Sequence, residues 1–197
     1  SRLTHGRYDI TVGPLVNLWG FGNSGERDTP PSQREIDDVL KRVGYRQLNT
    51  RRTPPGLRKQ IAELQIDLSS IAKGWAVDEI AELLRAKGVD HFLVEIGGEL
   101  RAQGEKAPGL PWRIAIEQPS YEIRSVQRVI ALRDTAMATS GDYRNFFTDG
   151  GRQYSHTIDP VTGQPVEHLL ASVTVWAENC ATADAWATAL LALGERK

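Results

Sequence analysis

Two groups of side chains in this sequence could do chemistry. The first is Asp67-Leu68-Ser69-Ser70-Ile71-Ala72-Lys73-Gly74, which gathers an acid, two hydroxyls and a cation. It lies where a strand-like apolar run (Leu64, Ile66, Leu68) gives way to a helical pattern of Ala72, Ala76, Ile80, Leu83 and Leu84. A helix start presents unpaired N–H groups and the positive end of the dipole, which suits a phosphate. A plain strand-to-helix junction with serine caps would carry the same residues. The second group is Asp184 and Thr188, four apart on one helix face. A carboxylate and a hydroxyl suit a hard cation such as Mg²⁺, which completes its shell with water and substrate phosphates. An acid in the first turn of a helix is also favoured by the dipole alone.

Three weaker signals accompany them. His156 reads as lying in a strand (Gln153 to Ile158) just before the acidic Asp159-Pro160 turn, where it could act as a base, hold a phosphate or be an ordinary edge residue. Gly97-Gly98 permits a ligand to approach the backbone, or forms a tight turn. Thr139-Ser140-Gly141-Asp142 could wrap an anion or reverse the chain. No dinucleotide or Walker glycine loop, zinc-ligand cluster or nucleophile elbow is present.

The elements that must carry these groups follow from pattern. Tyr8 to Val12 alternates like a strand, and Pro14 opens a helix with Leu15, Val16, Leu18 and Trp19. Residues 23–31 form a polar loop. Ser32 and Glu35 make a capping box for a helix over about 33–43, with Gly44 suited to its end. Short strands flank Thr53-Pro54-Pro55-Gly56, and the helix after Ser70 runs to about Lys87. Strands are expected at His91–Ile96, Trp112–Glu117, Val126–Leu132, Thr135–Thr139 and Ser172–Trp176. Tyr143 to Phe147 follows the Ser140-Gly141-Asp142 turn, and Asp149-Gly150-Gly151 signals a hairpin. A final helix starts near Ala181. Long helices between groups of strands, with hairpin signals in the second half, predict an α+β fold with a largely antiparallel sheet.

Composition excludes some classes. With 24 basic and 25 acidic residues the net charge is −1, so electrostatics make no case for nucleic acid or an acidic membrane surface. The 197 residues suit one domain, and a single cysteine, Cys180, excludes an internal disulfide framework. No apolar run reaches transmembrane length and no signal peptide is present.

Five segments in register resemble the ApbE family of FAD:protein FMN transferases. They are GRYDITVGPLVNLWGFG (6–22), the 67–100 stretch that begins DLSSIAKGWAVDEI, ATSGDYRNFF (138–147), YSHTIDPVTGQPVEH (154–168) and SVTVWAENCATADAWATALLALG (172–194). The resemblance implies one ApbE-like domain over residues 1–197, without the family's N-terminal segment and last C-terminal strands. It implies Mg²⁺-dependent transfer of FMN from FAD to a Thr or Ser hydroxyl of a target protein, with AMP released. A Mg²⁺-dependent FAD pyrophosphatase giving FMN and AMP, or a non-catalytic FAD-binding protein, are the alternatives.

Carried over by the resemblance, the metal is held by Asp184, Thr188 and the carbonyl of Ser70, with Ala187 offering a further carbonyl. Asp67 and Lys73 contact FAD, Arg7, Tyr8 and Asp9 border the flavin cofactor, and Ile158 lines its site through the backbone. His156 and Asp184 are the catalytic pair, His156 as base or phosphate ligand, and Asp159 fixes the turn that presents His156. The implied partner is a redox-complex subunit with an acceptor Thr or Ser. The implied location is the periplasmic or cell-surface side of the inner membrane, with a lipid anchor.

Overall fold

The computed structural model describes residues 1–120, 125–143 and 145–195. In chain order the elements are α1 (Gly13–Leu18), α2 (Gln33–Leu40), β1 (Leu48–Arg51), β2 (Gly56–Lys59), α3 (Ala72–Ala86), β3 (Phe92–Ile96), β4 (Glu99–Gln103), β5 (Trp112–Glu117), β6 (Val126–Leu132), β7 (Thr135–Gly141), β8 (Phe146–Asp149), β9 (Arg152–Ser155), β10 (Ser172–Ala177) and α4 (Cys180–Leu193). Every strand pairing among the described residues is antiparallel, so the fold is α+β as the pattern predicted. The chain forms two compact units. One holds Ser1–Leu68, Asn145–Leu169 and the residues from Ala192; the other holds Ser69–Arg144 and Leu170–Leu191.

The first unit is built on α1 and α2. Leu15 and Trp19 from the α1 segment meet Ile36, Val39 and Val43 from the α2 segment, and Ile158 joins them. The β8–β9 hairpin turns through Gly150-Gly151, both at positive φ (56° and 79°), as a two-residue turn of this hand requires. It lays Phe147 and Tyr154 against Trp19 at ring separations of 6.3 and 5.5 Å. The capping box at Ser32 and Glu35 forms as predicted. α2 ends at Leu40 rather than near residue 43, and Gly44, at φ 144°, leads into a short 3₁₀ turn. Tyr8 to Val12 is a turn, not a strand. Asp9 draws the amide and hydroxyl of Thr11 onto its own carboxylate, which outcompetes a sheet ladder. The Leu64–Leu68 run is likewise irregular; only Leu64 of its apolar residues is buried.

The second unit is a four-stranded sheet in the order β10-β7-β4-β3. Alternation sends Phe92, Val94 and Ala136 to one face, where they pack on Val77, Ala81 and Cys180 of α3 and α4. Leu100, Ala102 and Met137 point the other way, into a cluster with Leu132, Trp112 and Ile114 of the β5–β6 ribbon. The strands β5 and β6 match their predicted bounds, whereas β7 runs on to Gly141, so Ser140-Gly141 is strand and not turn. The β4 strand after Gly97-Gly98 is not among the strands expected above. Of the 143–147 segment, Arg144 lies outside the described residues.

The face of α3 that packs is not the one with the largest apolar residues. Gly74, Val77 and Ala81 are buried, while Ile80 and Leu83 are 41% and 56% exposed. A Cβ built on Gly74 would lie 2.5 Å from the Cys180 carbonyl oxygen and 2.8 Å from Asp184 Cβ. The two helices therefore approach closely enough that only small residues fit between them.

Candidate active site

In the second unit, α3 begins at Ala72 with Ile71 at its N-cap and no side-chain cap from its own sequence. The serines before it are not the N-cap. The third amide of the helix, Gly74 N–H, donates instead to Asp184 Oδ2 on α4, at 3.0 Å. The reverse also holds. The first two amides of α4, Cys180 and Ala181, donate to the two oxygens of Asp78 on α3, each at 2.9 Å, and Thr182 N–H donates to the Asn179 side chain. Arg101 on β4 braces Asp78 at 3.0 Å and Glu82 at 2.9 Å. Each helix thus helps to cap the other: Gly74 at the start of α3 and Cys180 and Ala181 at the start of α4 donate to carboxylates, which the dipoles favour.

This locks the Asp184–Thr188 face. Asp184 is buried, with Oδ2 spent on Gly74 and Oδ1 taking no hydrogen bond among the described residues. Thr188 Oγ1 lies 3.1 Å from Ser140 Oγ on β7, so the row of oxygens extends across to the sheet. Burial pushes the Asp184 carboxyl above its ordinary range, against the Gly74 hydrogen bond and the charge of Lys73. An oxygen-only donor set suits a hard cation. Among the described residues no three His, Cys, Asp or Glu side chains gather around one point, so an ion held here keeps water or substrate oxygens in its shell. Mg²⁺ fits that description. Ala187 is fully buried in mid-helix against Ala138 and Ala183, where its carbonyl belongs to the helix ladder. Ser70 lies in the turn that precedes α3.

Lys73, in the first turn of α3, points to Glu99. Its Nζ is 2.8 Å from the buried Glu99 Oε2, an ion pair at close range. Cys180 is fully buried and its thiol is pushed up to about 12, chiefly by burial and then by the acids around it.

In the first unit, Asp9 is buried with both oxygens in use: Oδ1 accepts from the Thr11 amide and hydroxyl, and Oδ2 from Tyr45 N–H at 2.6 Å. It offers a ligand the shape of its loop rather than an open carboxylate. Tyr8 N–H is tied to Thr4 Oγ1 at 3.0 Å. Arg7 is ion-paired to Asp159, and the pair lines a cavity of about 430 Å³ with Gln164, Val166 and His168. Asp159 also accepts from Val161 N–H, while its carbonyl accepts from Gly163 N–H, so it does fix the turn after Ile158. Asp67 donates its amide to the Ile10 carbonyl at 2.7 Å, and its side chain abuts Gly13 at the start of α1. Ile158 packs its side chain in the core and bridges Pro165 through the backbone.

His156 lies one residue past β9, at a bend and not in the strand. Its Nδ1 and its backbone N–H both reach the Asn145 carbonyl, each at 3.1 Å. A carbonyl only accepts, so Nδ1 carries the proton and the neutral ring has its lone pair on Nε2. Phe21 meets the ring edge-on at 6.3 Å between centroids. Asn145 had no sequence signal, since its part is played by the backbone. Glu99, Asp78 and Arg101 were equally silent, as charged residues in strands and helices read by default as solvated. The alternation Glu99-Leu100-Arg101-Ala102 was the available clue: it puts both charges on the helix-covered face.

The ApbE family pattern matches residues 1–197, the whole length. The chain belongs to the ApbE family. It is 49% identical over 195 residues to a FAD:protein FMN transferase of Vibrio cholerae, covering 99% of this chain and 58% of that protein. It is 43% identical over 196 residues to the Escherichia coli K12 protein of the same name, with 98% and 56% covered. A solved structure described as the flavin transferase ApbE from Vibrio cholerae superimposes with a TM-score of 0.87 at 49% identity, over 98% of this chain and 61% of that one. The apo flavinyl transferase ApbE of Pseudomonas stutzeri gives 0.84 at 44% identity, over 98% and 58%. The chain thus spans a little over half the length of the ApbE relatives it matches.

Proposed function

We propose that this ApbE chain serves the transfer of FMN from FAD onto a Thr or Ser hydroxyl of a target protein, with AMP as leaving group and Mg²⁺ as the required ion. The observation that carries the reading is the Asp184–Thr188 oxygen pair, with Asp184 accepting from the first turn of the helix that bears Lys73 and Thr188 bonded to Ser140, in a chain of this family.

In this reading Asp184 Oδ1 and Thr188 Oγ1 would be the side-chain ligands for the metal, and the Ser70 carbonyl would be a backbone ligand. A bound Mg²⁺ would neutralise pyrophosphate charge. Lys73 adds a positive charge for the same phosphates, and the Asp67, Tyr8 and Arg7 segments shape the flavin side. The acceptor oxygen forms a bond to the phosphorus of the FMN half. The bond from that phosphorus to the bridging oxygen breaks, and AMP leaves with that oxygen. The hydroxyl proton passes to Nε2 of His156, which the Asn145 carbonyl holds in the tautomer able to take it.

The same reading takes the target to be a redox-complex subunit and the working location to be the periplasmic or outer-surface side of a membrane, through a lipid anchor. Support for these two points is the family resemblance alone. Among the described residues no helix is long and apolar enough to cross a membrane.

The test is to mix the full chain with FAD, Mg²⁺ and an acceptor domain, weigh the acceptor and assay AMP. A mass gain equal to FMN with AMP released is the expected result. AMP without a mass gain would make the protein a pyrophosphatase. Bound FAD with neither product would make it a flavin carrier.

A further inference from the structure

Glu99 is 2% exposed, opens β4 straight after the Gly97-Gly98 turn, and projects to the face of the sheet covered by α3. Alternation gives that face only one other charged β4 residue, Arg101, which Asp78 and Glu82 neutralise. Among the described residues the ion partner of Glu99 is Lys73, and the pair is lopsided: the acid has given up its water while the lysine side chain remains 46% exposed. Gly97, at φ 60°, makes the turn, and the lysine stem lies along it: a Cβ built on Gly97 would be at ordinary contact distance, 3.4 Å from Lys73 Cδ and 3.7 Å from Glu99 Oε2.

We propose that Glu99 is a positioning residue for Lys73, holding its ammonium over the Gly97 turn so that the pyrophosphate of FAD meets a cation already in place. The inference rests on Lys73 being an FAD contact. A lysine with a long free stem loses much rotamer freedom when a ligand fixes it. Here the buried carboxylate fixes it beforehand, and the ligand gains a preorganised partner. The arrangement costs the fold something, because burial pushes the Glu99 carboxyl up despite Lys73. Among the described residues Lys73 is the cation paired with this buried acid, so the charge of Glu99 bears on where that lysine stands.

The test is a double-mutant cycle on FAD affinity, read by flavin fluorescence with Mg²⁺ present, using the full chain, Glu99→Gln, Lys73→Met and the double variant. Glu99→Gln is expected to weaken FAD by about tenfold, the scale of one charge-assisted contact. In the Lys73→Met background it should change nothing further. Glu99→Asp, which keeps the charge but retracts it, should fall between and carries the test if the Gln variant does not fold. An equal loss in both backgrounds, or no loss in either, overturns the positioning role while leaving the transferase reading intact. A wild-type chain that binds no FAD overturns the transferase reading itself, and this inference with it.

Discussion

Asp78 and Asp184 cap each other's helices. Asp78 leaves α3 to receive the first two amides of α4, and Asp184 leaves α4 to receive the Gly74 amide of α3. The metal-ligand candidate is therefore also a structural cap, and the two tasks fall on different oxygens of one carboxylate. Any variant at this position must be read for both.

Asp184→Asn should keep the cap, since the amide oxygen still accepts from Gly74, and lose the cation site. Its melting temperature without Mg²⁺ should stay near wild type, and added Mg²⁺ should no longer raise it. Asp184→Ala loses both and should cost about 1–2 kcal/mol more, the usual worth of a cap. Thermal melts of the three proteins with and without Mg²⁺ check this. A wild-type-like Mg²⁺ response in the Asn variant would remove Asp184 from the metal site.

Gly74→Ala sets two effects against each other. Alanine favours a helix over glycine by about 1 kcal/mol. The added methyl would stand 2.5 Å from the Cys180 carbonyl, and relieving such overpacking costs about 1–3 kcal/mol. The clash should win, since backbone cannot swing aside. Urea unfolding is expected to show net destabilisation, with Mg²⁺ binding weakened because Asp184 moves with the helix. A more stable variant would mean that the helices can part freely.

The pH dependence of Glu99 has a definite sign. Its carboxyl sits above the ordinary 4.5, with burial the largest cause and the Lys73 interaction opposing it. Between 4.5 and the raised value the folded state keeps a proton that the unfolded chain has released. Stability contributed at this site therefore falls as pH rises through that window. Glu99→Gln should melt at or above the wild-type temperature at neutral pH, with the advantage vanishing by about pH 4. Melts across that range without Mg²⁺ decide it, and a difference that does not vary with pH would contradict the assignment.

His156→Ala should slow FMN transfer by about 10²–10⁴-fold, the usual contribution of a positioned base. FAD affinity should hold if the ring serves as a base rather than as a phosphate ligand. Single-turnover transfer and FAD titration separate the two. Lost FAD binding would instead make His156 a phosphate ligand.

Local codes were legible where a few neighbouring residues decide the outcome. Ser32 and Glu35 announced their capping box, and Gly150-Gly151 its hairpin, because each is a backbone problem solved within one turn. The Asp184–Thr188 spacing likewise put two oxygens on one face. Hydropathy alone favours Ile80 and Leu83 as the packing face of α3, whereas the close approach of α4 selects for small size at Gly74. Tyr8–Val12 looked like a strand because alternation says nothing of an aspartate that folds onto its neighbour's amide. Glu99 and Asp78 escaped notice for a deeper reason. What marks them is burial and a partner far along the chain, and neither is written in the local pattern.

Cys180 turns this same junction into a clock. The thiol is fully enclosed at the first position of α4, and at about 12 its acidity leaves almost no thiolate at neutral pH. An alkylating reagent can reach it only when the α4 start lets go of Asp78 and opens. Since the chain has one cysteine, its labelling reports this junction with no probe to engineer: the open population at low reagent, and the opening rate once the reagent reacts faster than the junction recloses.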